Sequence, residues 1–196
     1  MQLTHRGTVP LETRRLLLRP MCLADAGDMF RNWTGDAEVA RYVSWEPHAS
    51  EADSRAYLEG VVAGYSQPNY YNWGIVFEET LIGSVGVARM SEADLNCEAG
   101  YCLGRRWWGR GIATEALRAL VDFLFAQVNF HRVAAVHDPD NPASGRVMQK
   151  AGMVREGVLR QQRFLKGRFV DTVVYSIPVS YTHLDVYKRQ RWRRSR

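Results

Sequence analysis

Between Cys97 and His137 the chain reads as strand, glycine loop, long helix, strand: CEAGYCLG, RRWWGRG, IATEALRALVDFLFAQ, then HRVAAVH. No other stretch limits the fold as much. A tight turn returns a strand antiparallel, whereas a helical crossover brings it back parallel. Ile112–Gln127 is the best helix in the chain. Ala113, Ala116, Leu117, Leu120, Val121 and Leu124 share one face, and Glu115, Arg118 and Asp122 lie outside it. The run His131–His137 reads as a buried strand.

The rest of the chain supplies shorter elements. Arg14–Pro20 (RRLLLRP) reads as a buried first strand stopped by proline. Leu23–Trp33 reads as a short helix and Asp36–Val43 as another. Ser50 and Asp53 fit a capping box, followed by an apolar stripe of Tyr57, Leu58, Val61 and Val62. Tyr70–Phe77 and Leu81–Met90 read as a hairpin turning at EET. Pro142–Ala151 is a helix stopped by Gly152, and two more strands close the chain around Lys166–Gly167. This order predicts an α/β (α+β) fold: a mixed, mostly antiparallel central sheet flanked by helices, with one parallel crossover.

A length of 196 residues suits one domain, and 46% hydrophobic with 24% charged residues is a soluble globular composition. No apolar run approaches the ~20 residues of a membrane span, and MQLTHRGTVP lacks a secretion signal. Cys22, Cys97 and Cys102 have no metal spacing, so they read as reduced thiols of a cytoplasmic protein with no metal. The net charge of +5 hints at nucleic acid, but it resides entirely after Pro178, where six basic residues face one acid. The body is neutral and gives no electrostatic case for polyanions.

That basic end carries a second signal. Val179–Gln190 (VSYTHLDVYKRQ) back-translates into a DNA palindrome, AGATGTGTATAAGAGACAG preceded by its reverse complement. It resembles inverted transposon ends used as sequencing-library adaptors. Residues 178–196 are therefore expected to be an artefactual tail replacing the native C-terminus, residues 1–10 a loose N-terminus, and residues 11–177 the functional domain.

The glycine loop carries the chemistry. It ends where a helix begins, and the first turn of a helix presents unpaired N–H groups and the positive end of the dipole. Gly109 and Gly111 allow close backbone approach and Arg110 adds charge, which suits a pyrophosphate. A Walker loop needs Gly-Lys-Ser/Thr, but Ile112-Ala113 follows Gly111. A dinucleotide fingerprint fails at Thr114, its third glycine position, and its loop is too long.

RRWWGRGIATEAL resembles the acyl-CoA loop of the GNAT acetyltransferases, pattern [QR]-x-x-G-x-[GA], with Arg106, Gly109 and Gly111 in the named positions. LETRRLLLRPMCLADAGDMF, EAGYCLGRRWWGRGIATEAL and NPASGRVMQKAGMVREG agree in the same order, so the likeness spans residues 11–177. It is nearest to the branch of ribosomal-protein N-terminal acetyltransferases. The resemblance implies acetyl-CoA as co-substrate, its pyrophosphate held by amides of Arg106, Trp108, Gly109, Arg110, Gly111, Ile112, Ala113 and Thr114. It implies a pantetheine arm lying strand-like beside Cys97–Gly104, including Leu103. It also implies that the fourth and fifth strands, Cys97–Gly104 and His131–His137, splay around the thioester.

Acetyl transfer to an amine needs a neutral nucleophile, support for the oxyanion, and a proton for the departing thiolate. At pH 7 a lysine amine is roughly 0.04% neutral and an α-amine about 14%, so an N-terminal acceptor depends less on a strong base. Glu98 is the first candidate base, directly or through water, with backbone N–H groups near Tyr101–Leu103 supporting the oxyanion. Asn141 and Ser144 match the family's N-x-x-S pattern and are candidates to contact coenzyme A and protonate the sulfur; as residues they equally suit capping of the following helix. Met148 stands where many relatives carry an acidic tyrosine. Trp33, Tyr42, Trp45 and Tyr71 form an aromatic set for an acceptor pocket. The acceptor implied is a protein N-terminus. A small amine or aminoglycoside is the alternative, and a non-catalytic acyl-CoA-binding module or a tail-driven nucleic-acid binder are the rivals of other classes. Nothing in the sequence fixes an oligomeric state.

Overall fold

The computed structural model describes residues 2–181; the adaptor-like segment from Thr182 onward lies outside the described residues. Strands β1 (Leu11–Glu12), β2 (Leu16–Arg19), β3 (Asn72–Phe77), β4 (Thr80–Ser91), β5 (Asn96–Leu103), β6 (Arg132–His137), β7 (Val154–Leu165) and β8 (Arg168–Pro178) form one sheet. Their spatial order is β1-β2-β3-β4-β5-β6-β8-β7. Only β5 and β6 pair in parallel, as the crossover requires. They are the strands counted fourth and fifth from the sequence, where the two-residue β1 gave no periodic signal.

Helix α4 (Ile112–Phe123) makes that crossover and continues as a wider π-type turn over Leu124–Val128. Its buried residues Ile112, Leu117 and Leu120 pack with Leu18, Trp73, Ile75 and Ile82 into the larger core. Helix α5 (Pro142–Lys150) lies on the same face, with Met148 and Ala151 in that core. The opposite face is covered by α1 (Ala26–Met29), which is preceded by a 3₁₀ turn at Leu23–Asp25 and followed by a π-type turn at Phe30–Thr34. Helices α2 (Ala37–Ala40) and α3 (Glu51–Gly64) join it, and Met29, Trp33, Leu58 and Val61 meet Val76 and Leu81 of the sheet. Among the described residues no helix is long and apolar enough to cross a membrane.

Three features lie beyond what the sequence resolves. The N-terminal residues lack regular structure but are tied down: Thr4 N–H donates to the Val128 carbonyl at 2.9 Å and Gly7 N–H to Pro68 at 2.8 Å. Thr8 and Trp73 add side-chain bonds, to the Tyr70 carbonyl and from the Trp73 indole to the Val9 carbonyl. These partners are remote in sequence, so no local pattern announces them. Pro178 belongs to β8 and pairs with Arg132, and Val179 is buried against the core, its N–H bonded to the His131 carbonyl at 2.9 Å. In the β3–β4 hairpin Thr80 joins β4, leaving Glu78 and Glu79 as a two-residue turn with φ of 48° and 62°. That is the left-handed geometry a tight hairpin needs.

Candidate active site

Strands β5 and β6 pair only from Asn96–Ala99 against Arg132–Ala135. Beyond that, β5 stays with β4, Gly100–Leu103 pairing with Gly83–Gly86, while Val136 and His137 stay with Val174 and Val173 of β8. The two strands therefore part and leave a wedge lined by backbone edges. A β-bulge in β4, where Val87 faces Ala99 and Arg89 faces Glu98, falls at the level of the parting; a bulge bends the strand that carries it.

The loop after β5 leads from this wedge to the mouth of α4. Trp107 is buried and anchors the loop, and Trp108, half-exposed, donates its indole N–H to the Leu103 carbonyl at 2.6 Å. Gly109 and Gly111 have φ of 73° and 74°, a region closed to most side chains. Trp108, Gly109, Arg110 and Gly111 are exposed, and no side chain caps the helix. The amides of Ile112, Ala113 and Thr114 precede the first intrahelical bond, which Glu115 N–H makes to the Gly111 carbonyl. Nor does a carboxylate compete for them. Glu115 is turned outward, accepting from Thr13 Oγ1 and Arg15 Nε, each at 2.7 Å. Burial alone would raise its carboxyl, but those hydrogen bonds outweigh it and hold the pKa below the ordinary value. The mouth is thus open, cationic and unfilled by the chain itself.

Arg106 and Arg110, which flank this mouth, each lie against an aromatic ring. Arg106 lies 5.8 Å from the Trp107 ring centre, and Arg110 stacks over Phe77 at 5.2 Å while its carbonyl accepts from Arg15. An open groove of about 950 Å³ continues from Gly111 along the outer side of α4, between residues 10–15 and Arg118 and Lys150.

Strand alternation divides the remaining side chains between two faces. On the α4–α5 face, Tyr101 reaches from the parted end of β5 to the first turn of α5. Its hydroxyl lies 2.8 Å from Ser144 Oγ and 2.9 Å from the Ser144 carbonyl. Asn141 caps that helix, its Oδ1 accepting from Ser144 N–H at 3.2 Å. Burial pushes the Tyr101 phenol up to about 12, partly offset by the bond to Ser144, so it remains protonated at neutral pH. His137 is buried beneath α5, where a side chain at Gly145 would collide with its ring. Met148 is buried in the core and offers no proton. On the opposite face Glu98 is half-buried, level with Ala134 at the last paired steps. The Tyr101 side chain was not singled out from the sequence; its partner lies on another element, and no local spacing reports that meeting.

The aromatic set is not one pocket. Trp33 is buried in the smaller core, and Tyr71 lies on the α4 face, stacked on Trp73 with its hydroxyl 2.8 Å from His5 Nδ1. Tyr42 and Trp45 alone of the four stay partly exposed. Their loop meets the β7–β8 hairpin through Glu46 and Lys166, 3.3 Å apart. Burial raises the thiols of Cys97 and Cys102 to about 12, which keeps both protonated. Among the described residues no cluster of three or more His, Cys, Asp or Glu side chains could hold a metal ion.

Comparison with known proteins fits this geometry. Residues 15–154 match the acetyltransferase (GNAT) domain family. The uncharacterised N-acetyltransferase YoaA of Bacillus subtilis is 35% identical over 85% of this chain and 95% of its own length. The [ribosomal protein uS5]-alanine N-acetyltransferase of Escherichia coli is 27% identical over 88% of this chain and 94% of its own. Among solved structures, RimL, a ribosomal L7/L12 α-N-protein acetyltransferase in complex with coenzyme A, shares the fold. It has a TM-score of 0.77 at 19% identity, covering 89% of this chain and all of that one.

Proposed function

The chain belongs to the GNAT acetyltransferases, and from that premise we propose that it moves the acetyl group of acetyl-CoA to a protein N-terminal α-amine by direct attack. The observation that carries the reading is the uncapped α4 mouth beside the wedge between β5 and β6. In this reading the diphosphate is held by the amides of Arg106–Thr114, Trp108, Gly109, Arg110, Gly111, Ile112 and Ala113 included, and the pantetheine arm runs along the free edge of β5 to Leu103. Amides near Tyr101–Leu103 polarise the thioester carbonyl. The amine loses its proton through Glu98, directly or by water, and attacks; the C–N bond forms as C–S breaks. Asn141 positions Ser144, and the paired hydroxyls of Ser144 and Tyr101 give the thiolate a proton, which the nitrogen replaces with its second proton as the amide forms. The uS5-alanine relative supports an α-amine acceptor, as does the larger neutral fraction of such amines at pH 7.

The test is release of coenzyme A thiol from acetyl-CoA with a panel of peptide N-termini, polyamines and aminoglycosides. Peptides are expected to show the highest kcat/KM. A polyamine or aminoglycoside leading the panel would replace the acceptor class, and coenzyme binding without thiol release from any amine would leave a binding module.

A further inference from the structure

Two buried oxygens on the face opposite α4 and α5 have no partner among the described residues: Asp138 Oδ2 and Thr172 Oγ1. Asp138 is 9% exposed and Thr172 1%. They are neighbours in the fold. The β6–β8 ladder ends with His137 opposite Val173, and Asp138 and Thr172 are the residues one position beyond that last pair. Val173 and Tyr175 pack into the α4–α5 core, which turns Thr172 to the other face, and Asp138, following His137, turns the same way.

The position matters as much as the missing partners. Ala135 is the last β6 residue to pair with β5, opposite Ala99. Asp138 lies three steps on, roughly 10 Å along the strand, at the level Cys102 occupies on the parted β5. Cys102 packs against the smaller core, so both side chains stand on one face of the wedge. Coenzyme held at the α4 mouth and Ser144 comes from the α4–α5 side; an amine attacking the thioester must come from this one. Asp138 Oδ1 accepts the Asp140 N–H at 2.9 Å, while Oδ2 is enclosed and unpaired. An enclosed carboxylate oxygen without a donor is strongly unfavourable and calls for a cation or a hydrogen-bond donor.

The geometry points to Asp138 and Thr172 as the subsite that receives the acceptor's ammonium group. This deepens the acetyltransferase reading and rests on it. The ammonium donates to Asp138 Oδ2 and to Thr172 Oγ1. Held there, the ammonium gives up one N–H proton to Glu98, through water, as in the proposed mechanism. The nitrogen lone pair then attacks the thioester carbon. The nitrogen's second proton leaves as the amide forms and restores the hydroxyl that protonated the thiolate, while the first passes from Glu98 to solvent.

The experiment measures coupling between Asp138 and the amine charge. Two probes, an alanine-initiated peptide and spermidine, are titrated by calorimetry into the protein saturated with coenzyme A, so that no acetyl transfer occurs. Each is compared with an analogue lacking one primary amine, the peptide opening with propionyl in place of alanine. Wild type is expected to prefer at least one charged probe over its analogue by tenfold or more, and Asp138→Asn to bring that ratio close to one. Thr172→Val, which keeps the shape and removes the hydroxyl, is expected to lower the ratio by a smaller factor with no loss of melting temperature. Equal weakening of probe and analogue in Asp138→Asn, an unchanged ratio, or no preference in wild type overturns the subsite and leaves a structural buried water. Absence of thiol release by wild type with any amine is instead the failure of the acetyltransferase reading.

Discussion

Two helices of this protein begin in opposite ways. α3 closes its own mouth: Ser50 Oγ accepts Asp53 N–H at 3.4 Å, and Asp53 Oδ2 accepts Ser50 N–H and Ala49 N–H, both at 2.9 Å. α4 opens on a glycine that has no side chain to accept with, and its first acid, Glu115, is drawn away by Thr13 and Arg15. A cap is worth about 1 kcal/mol, so leaving α4 without one forgoes stability. On the proposed reading, the difference separates a helix whose work is packing from one whose first amides are kept for a ligand that arrives and leaves. The first helical turn sides with α3. Cys22 N–H donates to Asp25 Oδ2 at 2.8 Å, and Arg19 grips both carboxylate oxygens at 2.7 and 2.8 Å.

The comparison breaks most directly at Gly111. Aspartate tolerates the left-handed φ of 74° better than most side chains, so Gly111→Asp retains the fold while placing a carboxylate in the α4 mouth. Its affinity for coenzyme A is expected to fall roughly 100-fold, about 2.7 kcal/mol, read by calorimetric titration. An affinity within threefold of wild type would mean that the open mouth is not the anion site.

The closed mouths answer to acid instead. Burial alone would raise the Asp25 carboxyl, but the bonds from Arg19 and Cys22 prevail and hold it below its ordinary value of 3.8. A folded pKa below the unfolded one means that this stabilisation is complete above about pH 3.8 and disappears as the pH falls through the folded value. Asp25→Asn is expected to cost ~2 kcal/mol at pH 7, with the gap to wild type narrowing at pH 3, measured by urea unfolding. Coenzyme affinity at pH 7 should be unmoved. A gap that stayed constant down to pH 3 would remove the carboxylate from the account.

What could be read from the sequence was local. The Ser50–Asp53 box, the α4 stripe and the hairpin at Lys166–Gly167 are set by residues a few positions apart, and each forms where its spacing places it. The wedge was legible only through family likeness, because parting depends on which neighbour each strand keeps: β4 for Gly100–Leu103 and β8 for Val136–His137. Tyr101 and Ser144, or Asp138 and Thr172, meet through the sheet, and the residues between them carry no trace of the encounter. For the same reason Tyr71 was grouped with Trp33, although the sheet separates the cores they belong to.

The smallest effect sharpens the comparison from the α3 side. Ser50→Ala removes the oxygen that accepts Asp53 N–H but leaves Asp53 its bonds to the Ser50 and Ala49 amides. Only part of the box is lost, so the cost is expected at ~1 kcal/mol or less, a fall of roughly 2–4 °C in Tm for a chain of this size. Coenzyme A affinity should not change, because no coenzyme-holding amide is assigned to α3. Melting and titration of the same variant decide the matter together. A drop in affinity approaching that of Gly111→Asp would show that the two mouths are coupled through the sheet, and that an unfilled helix start is no guide to where the ligand binds.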